Sequence, residues 1–325
     1  MTFFLNWFRP SPPSPPRGAL TTHSTESADP PPTPPSEDTF VADPSPPSNA
    51  ATASSGVGSL APPREYDASS NISFRGRIPE TCPETKQALL ELSDPSTLQG
   101  LEDFEKRIEQ IDQIFLNNQD PRGVFTSLYR VITNKAAESV RAGQYQDNDW
   151  GAELTVDFGK RYLENLYAHL QGSRVDAGWK RYYDLADNPN VDLKRVVAMG
   201  ATIHLVVDLP ASLAAIDSSP QRREDFMQFG NILLEDYPEM IAASQHGHQV
   251  DMSDLFDLYF AGDLIDARHG EGTATRFGFQ TIRNKAWTFG QWLQDNRRLA
   301  ADVEITISWR TIDGILAGMD AANLL

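Results

Sequence analysis

The chain is poor in cysteine, histidine and basic residues: its 325 residues hold one Cys, Cys82, six His, and 28 Lys plus Arg against 45 Asp plus Glu. One thiol excludes an intrachain disulfide framework and a Cys-based metal cluster, and it suits a reducing, cytoplasmic compartment. Without a basic stripe there is nothing to neutralise a phosphate backbone, so nucleic acid is not an expected partner. The segment Phe3-Phe-Leu-Asn-Trp-Phe8 is cut off by Arg9-Pro10, too soon for a signal h-region, and no transmembrane segment is expected. Because Arg9 and Arg17 precede the first acid, Glu26, an interfacial anchor or a degenerate organelle-targeting sequence stays open beside an unstructured leader. No repeat of fixed period occurs, and no alternation of strand with helix.

Proline is plentiful but unevenly placed. Sixteen of 23 prolines fall at or before Pro79, mixed with Ser and Thr in runs such as Ser11-Pro-Pro-Ser-Pro-Pro16 and Pro30-Pro-Pro-Thr-Pro-Pro35. Such a segment buries too little apolar surface to offset the entropy of ordering it, so residues 1–79 read as a disordered Pro/Ser-rich tail. Its Pro-x-x-Pro spacings, Pro10 to Pro13 and Pro13 to Pro16, suit a partner that binds Pro-rich motifs. Residues 80–325 are then one domain, and they carry most of the net charge of −17.

In that domain apolar residues recur at threes and fours. Leu101, Phe104, Ile108, Ile111 and Phe115 mark one helix; Asp120-Pro121 starts a second through Phe125, Leu128, Ile132, Ala136 and Val140 to Gly143. Leu154 to Leu170 is a third, and Trp179 to Leu185 a shorter fourth before Asn188-Pro189. Leu193 to Leu209 is the most apolar and central, with Pro210 kinking it or breaking it before a short continuation through Ile216. Ser219-Pro220 opens another helix, interrupted at Tyr237-Pro238, and further helices are expected near 253–266, 273–296 and 301–322. Ile305-Thr-Ile-Ser-Trp309 alternates like a strand, but no segment offers it a partner. The fold class is all-α, a compact multi-helix domain.

The most informative stretch is Ala201-Thr-Ile-His-Leu-Val-Val-Asp-Leu-Pro210, where His204 and Asp208 lie one helical turn apart in an apolar run. A polar pair in a core needs compensation. Three readings stand side by side. The two groups bond to each other or to neighbouring helices as a structural lock, they ligate a divalent metal such as zinc, or they perform acid–base chemistry without one. A metal needs a third ligand, and the candidates are His269 and Asp157, then His169, His246, His248, Asp263 and Asp266. Asp263-Leu-Ile-Asp-Ala-Arg-His269 reads as a solvated helix end or a second ligand set, and His246-Gly-His248 as a surface loop. Asp254/Asp257 and Asp263/Asp266 lack the paired opening of a magnesium–diphosphate site, so an isoprenoid cyclase is disfavoured. Arg283 and Trp287, one turn apart, and Arg161 beside Tyr162 read as arginines that stack on aromatic faces, pair with carboxylates such as Asp208 or Asp157, or receive an anionic group, with pairing the default.

The ordered blocks Phe125-Thr-Ser-Leu-Tyr-Arg-Val-Ile-Thr133, Phe158-Gly-Lys-Arg-Tyr162, Trp179, Gly200 to Pro210 and Arg283-Asn-Lys-Ala-Trp287 resemble a helical family known as domain of unknown function 5995, over residues 100–295. His-x-x-x-Asp-Leu-Pro is the sharpest of them. Where members often carry further polar residues around the motif, this chain has Thr202, Leu205, Val206 and Val207. The resemblance implies a fold and a pocket location, and no substrate. Two functional expectations follow. One is a cytoplasmic enzyme acting on a small apolar molecule, with His204, Asp208 and Arg283 as chemical groups and Tyr162, Trp179 and Trp287 shaping the pocket. The other is a non-catalytic binding or scaffold protein whose tail recruits partners.

Overall fold

The computed structural model describes residues 82–235, 237–252 and 273–325, all of them within one compact unit. Among the described residues there is no strand; Ile305–Trp309 lies inside a helix, as a lone alternating segment without a pairing edge must. The expected tail at 1–79, the expected helix near 253–266 and the segment 263–269 lie outside the described residues.

The helices are α1 (Pro83–Ser93), α2 (Leu101–Asn117), α3 (Val124–Arg141), α4 (Asn148–Gln171), α5 (Ala177–Ala186), α6 (Leu193–Ile203), α7 (Leu209–Ala215), α8 (Arg223–Glu235), α9 (Tyr237–His248), α10 (Thr273–Gln294) and α11 (Arg298–Ala321). Their starts follow cap chemistry. The Asp120 carboxylate accepts from the backbone N–H of Arg122 and Pro121 begins a short 3-10 turn that leads into α3. Asp147 accepts from Trp150 N–H at the start of α4, which Gly172 closes in the left-handed conformation at φ 69°. Helix α1 has no strong apolar stripe and was not expected from periodicity. Its start is nonetheless written locally, by Cys82 accepting from Thr85 N–H and by Pro83 at the first helical position, while Leu89 is buried in the core.

The central element is the run Leu193–Ala215, long and apolar enough by composition to cross a membrane, with 78% of its most apolar window buried inside the fold. Between α6 and α7 it is neither a simple kink nor a break. Residues His204–Asp208 form one π turn, with Leu209 N–H donating to the His204 carbonyl five residues back. Pro210 supplies the reason: it has no N–H to give to the carbonyl four residues earlier, and its ring would clash there in a regular helix, so the chain widens instead. Helices α3, α4, α5, α10 and α11 pack around this rod. Glycine permits two of the close contacts within the bundle. A Cβ at Gly200 would sit 2.7 Å from Phe125 Cβ and one at Gly159 would sit 2.1 Å from the tip of the Phe104 ring. The first of these close approaches brings Phe125 of α3 against the central rod beside His204.

Candidate functional site

The site is an imidazole–carboxylate dyad at the middle of the core. His204 and Asp208 are each 3% exposed, and His204 Nδ1 lies 2.9 Å from Asp208 Oδ2. Trp179 of α5 donates its indole Nε1–H to the same oxygen at 2.9 Å. Taken as an ionised carboxylate, Asp208 accepts from both N–H donors at Oδ2, which puts the dyad proton on His204 Nδ1 and leaves the lone pair of Nε2 bare. Among the described residues, Nε2 is fully enclosed and has no hydrogen-bond partner.

Aromatic rings enclose the imidazole. Phe158 stacks on it with centroids 3.6 Å apart and planes 12° apart, Tyr129 meets it edge-on at 4.3 Å, and Phe125 lies at 5.5 Å. Trp179 is held in turn by Tyr162 at 5.4 Å and Tyr182 at 5.4 Å. Tyr162 is itself fixed by a 2.6 Å hydrogen bond between its hydroxyl and that of Thr126. Rings of this kind exclude water, and the electrostatics follow. Burial pushes the His204 imidazole below its ordinary range against the opposing pull of Asp208, so it is neutral near pH 7. Burial likewise raises Asp208, opposed by His204, Trp179 and the positive charge of Arg161. The Tyr129 hydroxyl is held protonated, first by burial and then by the charge of Asp208.

The side chains expected to form the site divide into two groups. His204, Asp208, Trp179 and Tyr162 come together. Arg283 and Trp287 form a different cluster: the Arg283 guanidinium lies over the Phe226 ring at 4.0 Å and donates from Nη2 to the Phe226 carbonyl, and Trp287 packs on the same ring at 5.1 Å. Burial lowers Arg283 to about 9. It does not pair with Asp208 or Asp157, because the first already accepts from Trp179 and His204 and the second is held by Arg161 at 3.1 Å. Arg161 is thus ion-paired as expected, and it also donates to Ser212 Oγ and to the Ala211 carbonyl in the turn after Pro210.

For a metal, the donor set is short. Among the described residues no group of three or more His, Cys, Asp or Glu side chains is placed to hold an ion. Asp157 is committed to Arg161, His169 stacks on Tyr183 with centroids 3.9 Å apart, and His269 lies outside the described residues. The dyad itself offers Nε2 and the Asp208 oxygen Oδ1, since Nδ1 and Oδ2 are engaged with each other.

A second buried polar cluster was not expected. His248 is the last residue of α9 and 2% exposed, not part of a surface loop. Its Nε2 lies 3.1 Å from Ser127 Oγ of α3, and Ser127 donates to Asp112 Oδ1 of α2, whose Oδ2 accepts from Arg130 Nε at 2.8 Å. Burial drops His248 to about 4 and raises Asp112. Because the Ser127 proton goes to a carboxylate, this chain of bonds ties three helices together and does not activate a nucleophile. The only signal for it in the sequence was Asp112 on the apolar side of α2, adjoining Ile108, Ile111 and Phe115.

The Trp179 bond can be tested separately. Trp179→Phe keeps the ring packing and removes one donor from a buried carboxylate, so unfolding free energy should fall by about 1.5–3 kcal/mol. Chemical denaturation measures this; a change below about 0.5 kcal/mol would mean that Asp208 does not depend on the indole.

The sequence profile of the family of unknown function DUF5995 matches residues 101–313. That span holds every element of the dyad and its aromatic wall, and the chain belongs to this family. No curated protein and no solved structure matches it.

Proposed function

We propose that this family member is an acid–base enzyme acting on a small, largely apolar molecule, with His204 as the proton acceptor. The observation that carries the proposal is the bare, enclosed Nε2 of an imidazole whose other nitrogen is already fixed. A buried polar atom without a partner costs stability, and such atoms recur where a partner arrives with the ligand. On this reading Nε2 takes a proton from an acidic C–H or O–H of the substrate, and the Asp208 carboxylate stabilises the imidazolium that forms. The same nitrogen then returns the proton at a neighbouring atom or to a leaving group, as in an isomerase or lyase. The aromatic wall supplies the affinity for an apolar molecule and the dry surroundings that strengthen the dyad's electrostatics. Substrate gains access when that wall parts. The lone exposed thiol of Cys82 favours placing the protein in the cytoplasm. A metal-assisted variant of the chemistry would need a donor from outside the described residues.

A non-catalytic binding or scaffold role is the second reading, supported by one specific feature: the Trp179–Asp208–His204 bonds satisfy the carboxylate as a structural lock does. The two readings separate by experiment. His204→Phe preserves the stack on Phe158 while removing Nε2. A panel of small carbonyl and hydroxyl compounds is screened by thermal shift, where a ligand at a hundred times its Kd adds about 2.7 kcal/mol to stability. Compounds that stabilise the wild type but not His204→Phe are then incubated in D2O. Incorporation of deuterium by the wild type alone supports proton abstraction by His204. If both proteins respond alike to every compound, the enzyme reading fails.

A further inference from the structure

The outer face of α11 is apolar where a surface helix is usually polar. Leu299, Val303 and Ile307 are 79%, 48% and 54% exposed and follow each other at steps of four residues, one above the next on the helix. The opposite face is spoken for: Ala301, Ile305, Ser308, Ile312 and Leu316 are buried against the domain. Further along the exposed side lie Gly314 and Gly318, and a Cβ at either would meet nothing within 4 Å. Glycine inside a helix costs about 1 kcal/mol against alanine. Nothing in the described fold requires those two positions to be bare, so the shallow track they leave beyond the three apolar side chains is not explained by the domain's own packing.

We propose that this face is the docking site of the chain's own N-terminal segment, Phe3-Phe-Leu-Asn-Trp-Phe8. Length, position and charge argue for that occupant. Five of its six residues are large and apolar, matching a stripe whose three anchors span about 12 Å at 1.5 Å per residue. It lies 73 residues before Cys82, and a coil of that length spans roughly 50 Å, more than twice the radius of gyration, about 18 Å, of a domain of this size. Every face of the domain is therefore within its reach, and attachment in the same chain raises its effective concentration over any free competitor. The exposed charges around the stripe are mixed, Asp302 and Glu304 with Arg297, Arg298 and Arg310, while residues 80–325 as a whole carry −15 of the net charge of −17. Arg9 and Arg17 are the only charged side chains before Glu26, so the segment brings positive charge to a domain of net negative charge.

The full-length chain carries the test. In a Cys82→Ser background, where serine remains a good N-cap, Gly314→Cys is labelled with a benzophenone maleimide at a position whose Cβ meets open space. After irradiation and tryptic digestion, the adduct is mapped by mass spectrometry. The expected product has monomer mass and joins position 314 to the peptide Met1–Arg17, and its yield falls at least fivefold in Trp7→Ser/Phe8→Ser and in Val303→Glu. A product of dimer mass joining two α11 helices assigns the face to self-association and overturns the proposal. So does the absence of any adduct to Met1–Arg17, or a yield unchanged by the substitutions.

Discussion

Asp208→Ala is expected to lower the unfolding free energy by about 3–5 kcal/mol, because it removes one partner of a buried pair and leaves the other groups uncompensated. Two donors lose their acceptor at once, Trp179 Nε1–H and His204 Nδ1–H, both inside a water-excluding aromatic wall. For a domain of this size the corresponding fall in Tm is about 10 °C or more. Asp208→Asn keeps the shape and an oxygen for Trp179, so it should recover more than half of that loss. It removes the negative charge that stabilises an imidazolium, however, and proton transfer by His204 should fall by about 10²–10⁴. The pair of variants thus separates support of the fold from support of chemistry. A loss below about 1 kcal/mol for Asp208→Ala in urea titrations would mean that water or another donor reaches the carboxylate, and the enclosed dyad would have to be abandoned.

The second large effect is acid sensitivity centred on His248. Its imidazole ionises at an ordinary 6.5 when unfolded but at about 4 in the fold, chiefly through burial. Between those two values the unfolded chain binds more protons than the folded one, so stability is complete above pH 6.5 and falls as pH drops towards 4. The full shift corresponds to about 3 kcal/mol. His169 moves in the same direction, to about 4, and adds to the slope in the same window. Asp112 and Asp208 act oppositely: both are raised, so their protonated forms are favoured in the fold and they gain stability as pH falls. Isolating the His248 contribution therefore needs a difference. His248→Gln can still donate to Ser127, and the stability of the wild type relative to this variant should decline by about 2–3 kcal/mol from pH 7 to pH 4. Parallel stability–pH curves for the two proteins would show that His248 is solvated in the folded state.

Helices α2 to α6 were legible in the sequence because each combines an apolar stripe with punctuation at its ends, as in Asp120-Pro121 or Gly172. The place of His204 and Asp208 in the core was legible for a related reason: a polar pair on adjacent turns of an apolar helix has few other places to go. What periodicity could not give is which neighbours compensate the pair. Trp179 and Phe158 come from other helices, and how closely those helices approach is set by bare positions such as Gly178 against Ile203 and Gly159 against Phe104, which carry no pattern of their own. Arg283 lies apart from the dyad because a charge in an apolar helix signals burial but not its partner; here it stacks on the Phe226 ring, as an arginine among aromatic residues can, and donates to the Phe226 carbonyl. His248 was misread because the polar look of Gln245-His-Gly-His-Gln249 hid a helix end whose last side chain turns inward.

The widened turn at His204–Asp208 has a bearing on how sequences of this kind can vary in length. One turn there holds a residue more than an ordinary helix would, so a chain shorter by a single residue at this point could keep both flanking helices in phase and retain its architecture. It would, however, return the proline ring to a position where it collides with a carbonyl, and it would lose the spacing that sets imidazole, carboxylate and indole in line. A one-residue gap in an alignment, ordinarily trivial, would at this place separate chains that share a scaffold from chains that also share its chemistry.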